Sequence, residues 1–179
     1  MIDICLWQKT GEDKDISYAK KLVEFAMKQK DEEKNGFDKN IDKVVVVFDA
    51  DVFEEKVQGY DELIEQIEKS DIAAITNPGF ELFLLLHIED SYENEIKGHE
   101  VELLQKDEKG GYKHAYNVLH DLTGMNAKRN PNIGNLANNV LYATSQEKHI
   151  NQDIHNCKGK VTSNIGKVIE DIMNDKPKF

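Results

Sequence analysis

The run Val44-Val-Val-Val-Phe48, followed at once by Asp49-Ala-Asp51, constrains this chain more than any other stretch. Valine's branched Cβ restricts χ1 and suits an extended backbone, and phenylalanine packs well on a pleated surface. Because the run does not alternate apolar with polar, it predicts a strand covered on both faces and central in a parallel sheet. Tyr60–Lys69 carries Leu63, Ile64 and Ile67 at helical spacing, and Ile72-Ala-Ala-Ile75 is a second short apolar run, stopped by Asn77-Pro78. Upstream, Ile2–Trp7 reads as a short strand. Ile16, Ala19, Leu22, Val23 and Ala26 then share one helical face behind Asp15, an N-cap candidate. Lys28–Asn40 is charged, with a turn at Asn35-Gly36. Strands alternating with helices are the grammar of an α/β fold, here an open, mostly parallel, Rossmann-like sheet flanked by helices.

Beyond Ile88 the pattern changes. Glu89–Gly111 is polar and glycine-punctuated, an expected surface excursion, and helices are expected over about His114–Leu122, Ile133–Thr144 and Asn164–Met173. Ser163 or Thr162 would cap the last of these. Pro177 and its polar neighbours mark a frayed tail. With 179 residues the chain is expected to form a single domain, 1–179. Its α/β core would span 1–90, with a mostly helical extension over 91–179 packed on it.

Composition excludes some classes. No apolar run approaches the roughly 20 residues of a membrane span, and the charges from Asp3 onward argue against a signal peptide. Cys5 and Cys157 have no zinc spacing and read as reduced thiols in a cytoplasmic protein. The net charge is −11, and the basic residues are lysines apart from Arg129. Such a surface repels phosphate at long range and disfavours a generic nucleic-acid binder. It leaves a metal-dependent nuclease open, because bound divalent cations invert the local field.

The candidate chemistry gathers at strand ends. Asp49 and Asp51 sit at the carboxyl end of the valine strand, the edge where open parallel sheets bind ligands. Two carboxylates at that spacing suit Mg²⁺, which is held by one or two carboxylates, waters and substrate phosphate. The plainer alternative is that one aspartate ends the strand and caps a turn. Glu81 is the only charge within Pro78-Gly-Phe-Glu-Leu-Phe-Leu-Leu-Leu86. With Pro78 at N1, Asn77 would be the N-cap and Glu81 would fall at N4. The helix dipole accounts for its sign but not for its apolar setting. His87 lies six residues on, off the Glu81 face, and by position closes an apolar helix. His114 with His120, and His149 with His155, lack the i,i+4 spacing of a helical zinc motif, and no phosphate loop or nucleophile elbow is present.

On Val44–Phe48, Asp49-Ala-Asp51, Asn77-Pro-Gly-Phe-Glu81 and Leu82–His87 the sequence resembles the RloB family of bacterial abortive-infection and AbiL-type phage-resistance loci. Phe83 stands where that family's Asn-Pro-x-Phe-Glu-x-Trp-Leu-Leu-Leu-His block has tryptophan. Tyr112-Lys113, Asn130-Pro131 and Thr162-Ser-Asn164 continue the likeness. The family is similar to Toprim domains, in which a glutamate after the first strand joins the Asp-x-Asp in holding Mg²⁺ for phosphodiester chemistry. The resemblance implies a Toprim-like, Mg²⁺- or Mn²⁺-dependent phosphodiesterase or ribonuclease acting on RNA, such as tRNA, or on DNA. It further implies an AAA- or ABC-type ATPase partner encoded nearby, and a homodimer as one possible state. By it Asp49 and Asp51 are metal ligands, and Glu81, Asn77 and His87 are candidate catalytic residues. The Glu-Gly-x-x-Thr-Glu segment that opens family members has no counterpart here, and Met1–Trp7 corresponds to the second strand. The chain is therefore expected to be either truncated or a degenerate relative, with little nuclease activity alone. A non-catalytic module that binds and regulates the ATPase is the competing reading. A receiver-like phosphoacceptor domain is disfavoured, because Asn77-Pro-Gly is wrong for its switch position.

Overall fold

The computed structural model describes residues 19–51, 53, 59–105, 114–127 and 129–174. The strand expected at Ile2–Trp7, the cap at Asp15 and the thiol of Cys5 lie outside the described residues. The chain divides into two compact units, one drawn from residues 1–47 and 59–73 and the other from 48–58 and 74–179.

In the first unit, α1 (Ala19–Asp31) buries Ala19, Val23 and Ala26, the spacing of a single helical face. The Asn35-Gly36 turn follows a short 3-10 segment, Glu33–Asn35. Gly36 takes φ 61°, where a Cβ would be strained. β1 (Val45–Asp49) begins beside β2 (Ile72–Asn77), where Ile72 N–H donates to Val44 O at 2.9 Å. Asp71 reinforces this start: one carboxylate oxygen accepts from Val44 N–H at 3.1 Å, and the other pairs with Lys30. Between the strands runs α2 (Tyr60–Glu68), with Leu63, Ile64 and Ile67 buried as the periodicity predicts.

The described strands form one sheet in the order β1-β2-β3, where β3 is the short Thr162–Ser163. Ile72 N–H to Val44 O at the start and Ala50 N–H to Thr76 O at the end advance together along both strands, so β1 and β2 are parallel. β3 runs antiparallel to β2, with Thr76 opposite Ser163 and Asn77 opposite Thr162. The expectation that the valine run is covered on both faces is corrected. Among the described residues β1 is an edge strand, with Val45 and Val47 exposed at 36% and 45%. β2 is the covered strand, buried from Ala73 through Asn77. Its alanines let neighbouring elements approach both faces, whereas in β1 only Val46 and Phe48 are buried.

The rest of the second unit is mostly helical, as expected. It contains α3 (Phe80–Leu85), a π-helical turn Tyr92–Ile96, α4 (Glu100–Leu104), α5 (His114–Thr123), α6 (Val140–Glu147) and α7 (Ile165–Met173). α3 packs on α5 and α6 on α7. Leu82, Leu85, Leu86, Ile96, Leu103 and Leu119 are fully buried in this unit. The segment read as a surface excursion therefore supplies core residues, Ile96 and Leu103. The helix expected over Ile133–Thr144 is a 3-10 segment, Pro131–Asn139, that becomes α-helical only at Val140. Gly134 and four asparagines, all poor helix formers that favour local bonds, account for the tighter winding.

Candidate metal centre

Asp49 ends β1 at the point where the parallel ladder runs out, so its side chain sits at the carboxyl edge of the sheet. There Thr76, the neighbouring residue on β2, is fully buried and its hydroxyl donates to Asp49 Oδ1 at 2.7 Å. After β2 the chain turns through a cis Asn77-Pro78 bond and extended Gly79 into α3. The helix therefore starts at Phe80, not Pro78, with Gly79 as N-cap and Glu81 in the first turn. The expected N-cap role of Asn77 is thereby corrected, because a proline two residues before the helix removes Asn77 from capping range. The Phe80 N–H, at the start of α3, donates to the Asp49 carboxylate.

Gly79 shows where the acids point. A Cβ on this residue would lie 2.9 Å from Glu81 Oε2 and 3.7 Å from Asp49 Oδ2. Two carboxylate oxygens, one from a strand end and one from a helix start, thus converge on space that only glycine leaves open. Burial pushes the Asp49 carboxyl up to about 6. The Thr76 hydroxyl pulls it down, the charges of Glu81 and then Asp51 push it up, and the Phe80 N–H pulls it down. Asp51, half-buried two residues past Asp49, is thus close enough for Asp49 to feel its charge. Among the described residues no three His, Cys, Asp or Glu side chains draw close enough to hold a metal ion by themselves. The site offers two convergent hard oxygen donors with a third acid nearby. That donor set fits Mg²⁺ or Mn²⁺, which complete their shells with water and substrate phosphate.

Two sequence candidates lie elsewhere. Asn77 is fully buried, but its Nδ2 donates to the carbonyls of Cys157 and Lys160, both at 3.0 Å, and so holds a turn against the end of β2. His87, also buried, hydrogen-bonds through Nδ1 to Phe83 O at 2.8 Å and sets its ring edge-on to Phe83. Burial lowers its pKa, so it is a neutral ring closing α3.

Two supporting residues left no mark in the sequence reading. Thr76 is one, hidden in an apolar strand. Glu147 is the other, a charged residue near the end of a helix yet with 0% of its surface accessible. Its carboxylate accepts from Ser163 Oγ at 2.5 Å, Gly166 N–H at 2.8 Å, Lys167 N–H at 2.8 Å and Gln152 Nε2 at 3.0 Å. The start of α7 is therefore capped by Glu147 from α6, rather than by Thr162 or Ser163 alone. A Cβ on Gly166 would meet Glu147 Oε2 at 2.8 Å, so glycine is what admits this cap. Asn164 joins the same end to the sheet, its Oδ1 accepting from Ile75 N–H at 2.7 Å.

A family model for RloB-like protein matches residues 4–172. The chain belongs to the RloB-like family. Neither a curated protein nor a solved structure matches it. The match spans both units, so the Asp49–Glu81 edge and the Glu147-capped C-terminal helix are parts of one RloB-like chain. No helix among its described residues is long and apolar enough to cross a membrane.

Proposed function

We propose that this RloB-like chain contributes a Toprim-like, Mg²⁺- or Mn²⁺-dependent phosphodiester-cleaving site to a phage-defence system. Its substrate is RNA, such as tRNA, and it works with an ATPase partner. The observation that carries this reading is the convergence of Asp49 Oδ2 and Glu81 Oε2 over Gly79 at the carboxyl edge of the sheet. A divalent cation bound there would polarise a substrate phosphoryl oxygen and neutralise charge developing on it. The chain's own part is to hold and orient. Asp49 and Glu81 are the ligands, Asp51 adds negative field, and Thr76 and the Phe80 N–H occupy one side of Asp49 so that Oδ2 faces the site. His87 and Asn77 act from behind, as packing and turn-holding groups.

Because no three such ligands draw together among the described residues, the purified chain is expected to cleave little by itself. The test is RNA cleavage in Mg²⁺ by the chain together with its ATPase partner, comparing wild type with Asp49→Ala. Loss of cleavage in the variant is expected; equal cleavage by both overturns the reading. The absence of a three-ligand cluster among the described residues also favours a second reading, a non-catalytic module that regulates the ATPase. That reading predicts a stable complex with no metal-dependent cleavage at all.

A further inference from the structure

Phe80 stands between the residues that shape the candidate metal centre. Gly79, before it, is where Asp49 Oδ2 and Glu81 Oε2 converge, and Glu81 follows it. The N–H of Phe80 itself donates to the Asp49 carboxylate. Each neighbouring Cα lies about 3.8 Å from that of Phe80, so its side chain is rooted at the acidic edge. Yet 41% of the residue is exposed, and no other phenylalanine among the described residues is exposed. Phe48 and Phe83, the phenylalanines nearest in these elements, are both buried.

The backbone does not account for this ring. Any residue except proline would supply the N–H that Asp49 accepts, and a polar or acidic side chain suits an exposed first helical turn at least as well. The ring is nevertheless held from behind. Its centroid lies 6.1 Å from that of Phe83, with the planes tilted by 49°, and Phe83 in turn meets His87 at 4.8 Å, edge-on. The three residues follow at i, i+3 and i+7, so an aromatic row runs from a buried histidine to an exposed phenylalanine at the acidic edge. A lone apolar residue on a surface needs no explanation. An anchored ring between two residues that shape a metal centre is a different case. A chain of net charge −11 repels phosphate at long range, whereas stacking on an aromatic face is indifferent to charge and open to every base.

We propose that Phe80 stacks on a base of a single-stranded nucleic acid, next to the phosphodiester group held at the Asp49–Glu81 edge. This rests on reading that edge as a phosphodiesterase site. It makes Phe80 a substrate-binding residue that sets the register of the strand on the metal centre, with Phe83 and His87 holding its ring from behind. A base stacked on a side chain is out of its own helical stack, so the site takes loops, ends and single strands in preference to continuous duplex.

The test uses the full chain in Mg²⁺ with labelled oligouridylate of about twenty nucleotides and an abasic ribose-phosphate strand of the same length, which keeps the phosphates and removes the bases. Wild type should bind oligouridylate about tenfold more tightly than the abasic strand, the scale of one base stacked on one ring. Phe80→Leu keeps the N–H and an apolar side chain but has no ring face, and should lose that preference. Phe80→Trp, with a larger face, should keep or strengthen it. A Phe80→Leu variant that prefers oligouridylate as strongly as wild type overturns the inference and leaves the metal site standing. So does a loss of Mn²⁺ affinity in Phe80→Leu as large as its loss of oligouridylate affinity, because the ring would then act through the metal ligands. A wild type that binds Mn²⁺ but does not distinguish the two strands overturns it too, and one that binds neither metal nor either strand removes the underlying reading with it.

Discussion

Asp49 is subject to effects that oppose one another: burial, Glu81 and Asp51 favour its proton, while Thr76 and the Phe80 N–H favour its charge. Thr76→Val removes the 2.7 Å hydroxyl contact at nearly constant volume and leaves Asp49 Oδ1 without that donor. Its expected effect on Mn²⁺ affinity is a loss of about tenfold or more, the scale of a supporting hydrogen bond behind a metal ligand. Thr76→Ser, which keeps the hydroxyl, should restore most of it. Isothermal titration with Mn²⁺ separates the two, and equal weakening by Val and Ser would point to packing rather than the hydrogen bond. At this scale the sequence was partly legible. Asp49 announced itself as charge at the end of an apolar run, and Glu81 as the one acid in an apolar stretch. Thr76 was silent because a threonine in a strand is ordinary, and its value comes from a parallel ladder that places it beside Asp49.

α3 and α7 show how elements in this chain end. His87 closes α3 by bonding back to Phe83 O, and burial holds its pKa below the ordinary 6.5. In the unfolded chain the ring takes up a proton near 6.5 while the folded ring does not, so its contribution to stability is lost as pH falls below that value. His87→Gln should therefore be less stable than wild type at about pH 7.5, with the gap narrowing by about pH 5.5. Urea unfolding at the two pH values measures this, and a constant gap would show that the histidine's protonation is not coupled to folding. Glu147 closes the approach to α7 from outside that helix. Glu147→Ala leaves several buried donors without an acceptor, at about 1–3 kcal/mol for each one not rescued by water. A loss of about 3 kcal/mol in unfolding free energy is expected; a loss under about 0.5 kcal/mol would mean the cap is redundant. The existence of these helices was readable from periodicity, but their caps were not. Glu147 meets Gln152, Ser163, Gly166 and Lys167, contacts set by how α6 and α7 pack rather than by any local motif.

For the whole molecule, the α/β class and the helical C-terminal part followed from pattern alone, because short β-branched apolar runs and amphipathic periods survive any arrangement of elements. Which strand lies innermost did not follow. The valine run Val44–Val47 looks more buried than Ile72-Ala-Ala-Ile75, yet among the described residues β2 is the covered strand and Val45 and Val47 are exposed. Apolar side chains report affinity for a sheet, not the number of faces that will be covered. The same limit applies to the site: Asp49 and Glu81 are separated by a strand, a helix and a turn, and only the parallel pairing of β1 with β2 brings them over Gly79. The measurement that bears most directly on that convergence is Mn²⁺ binding by electron paramagnetic resonance, with wild type set against Asp49→Asn and Glu81→Gln. The account predicts one site in the wild type and a weakening of about tenfold or more in each variant, since either loss removes half of the protein's converging ligands. Mn²⁺ affinity unchanged in both folded variants would contradict it.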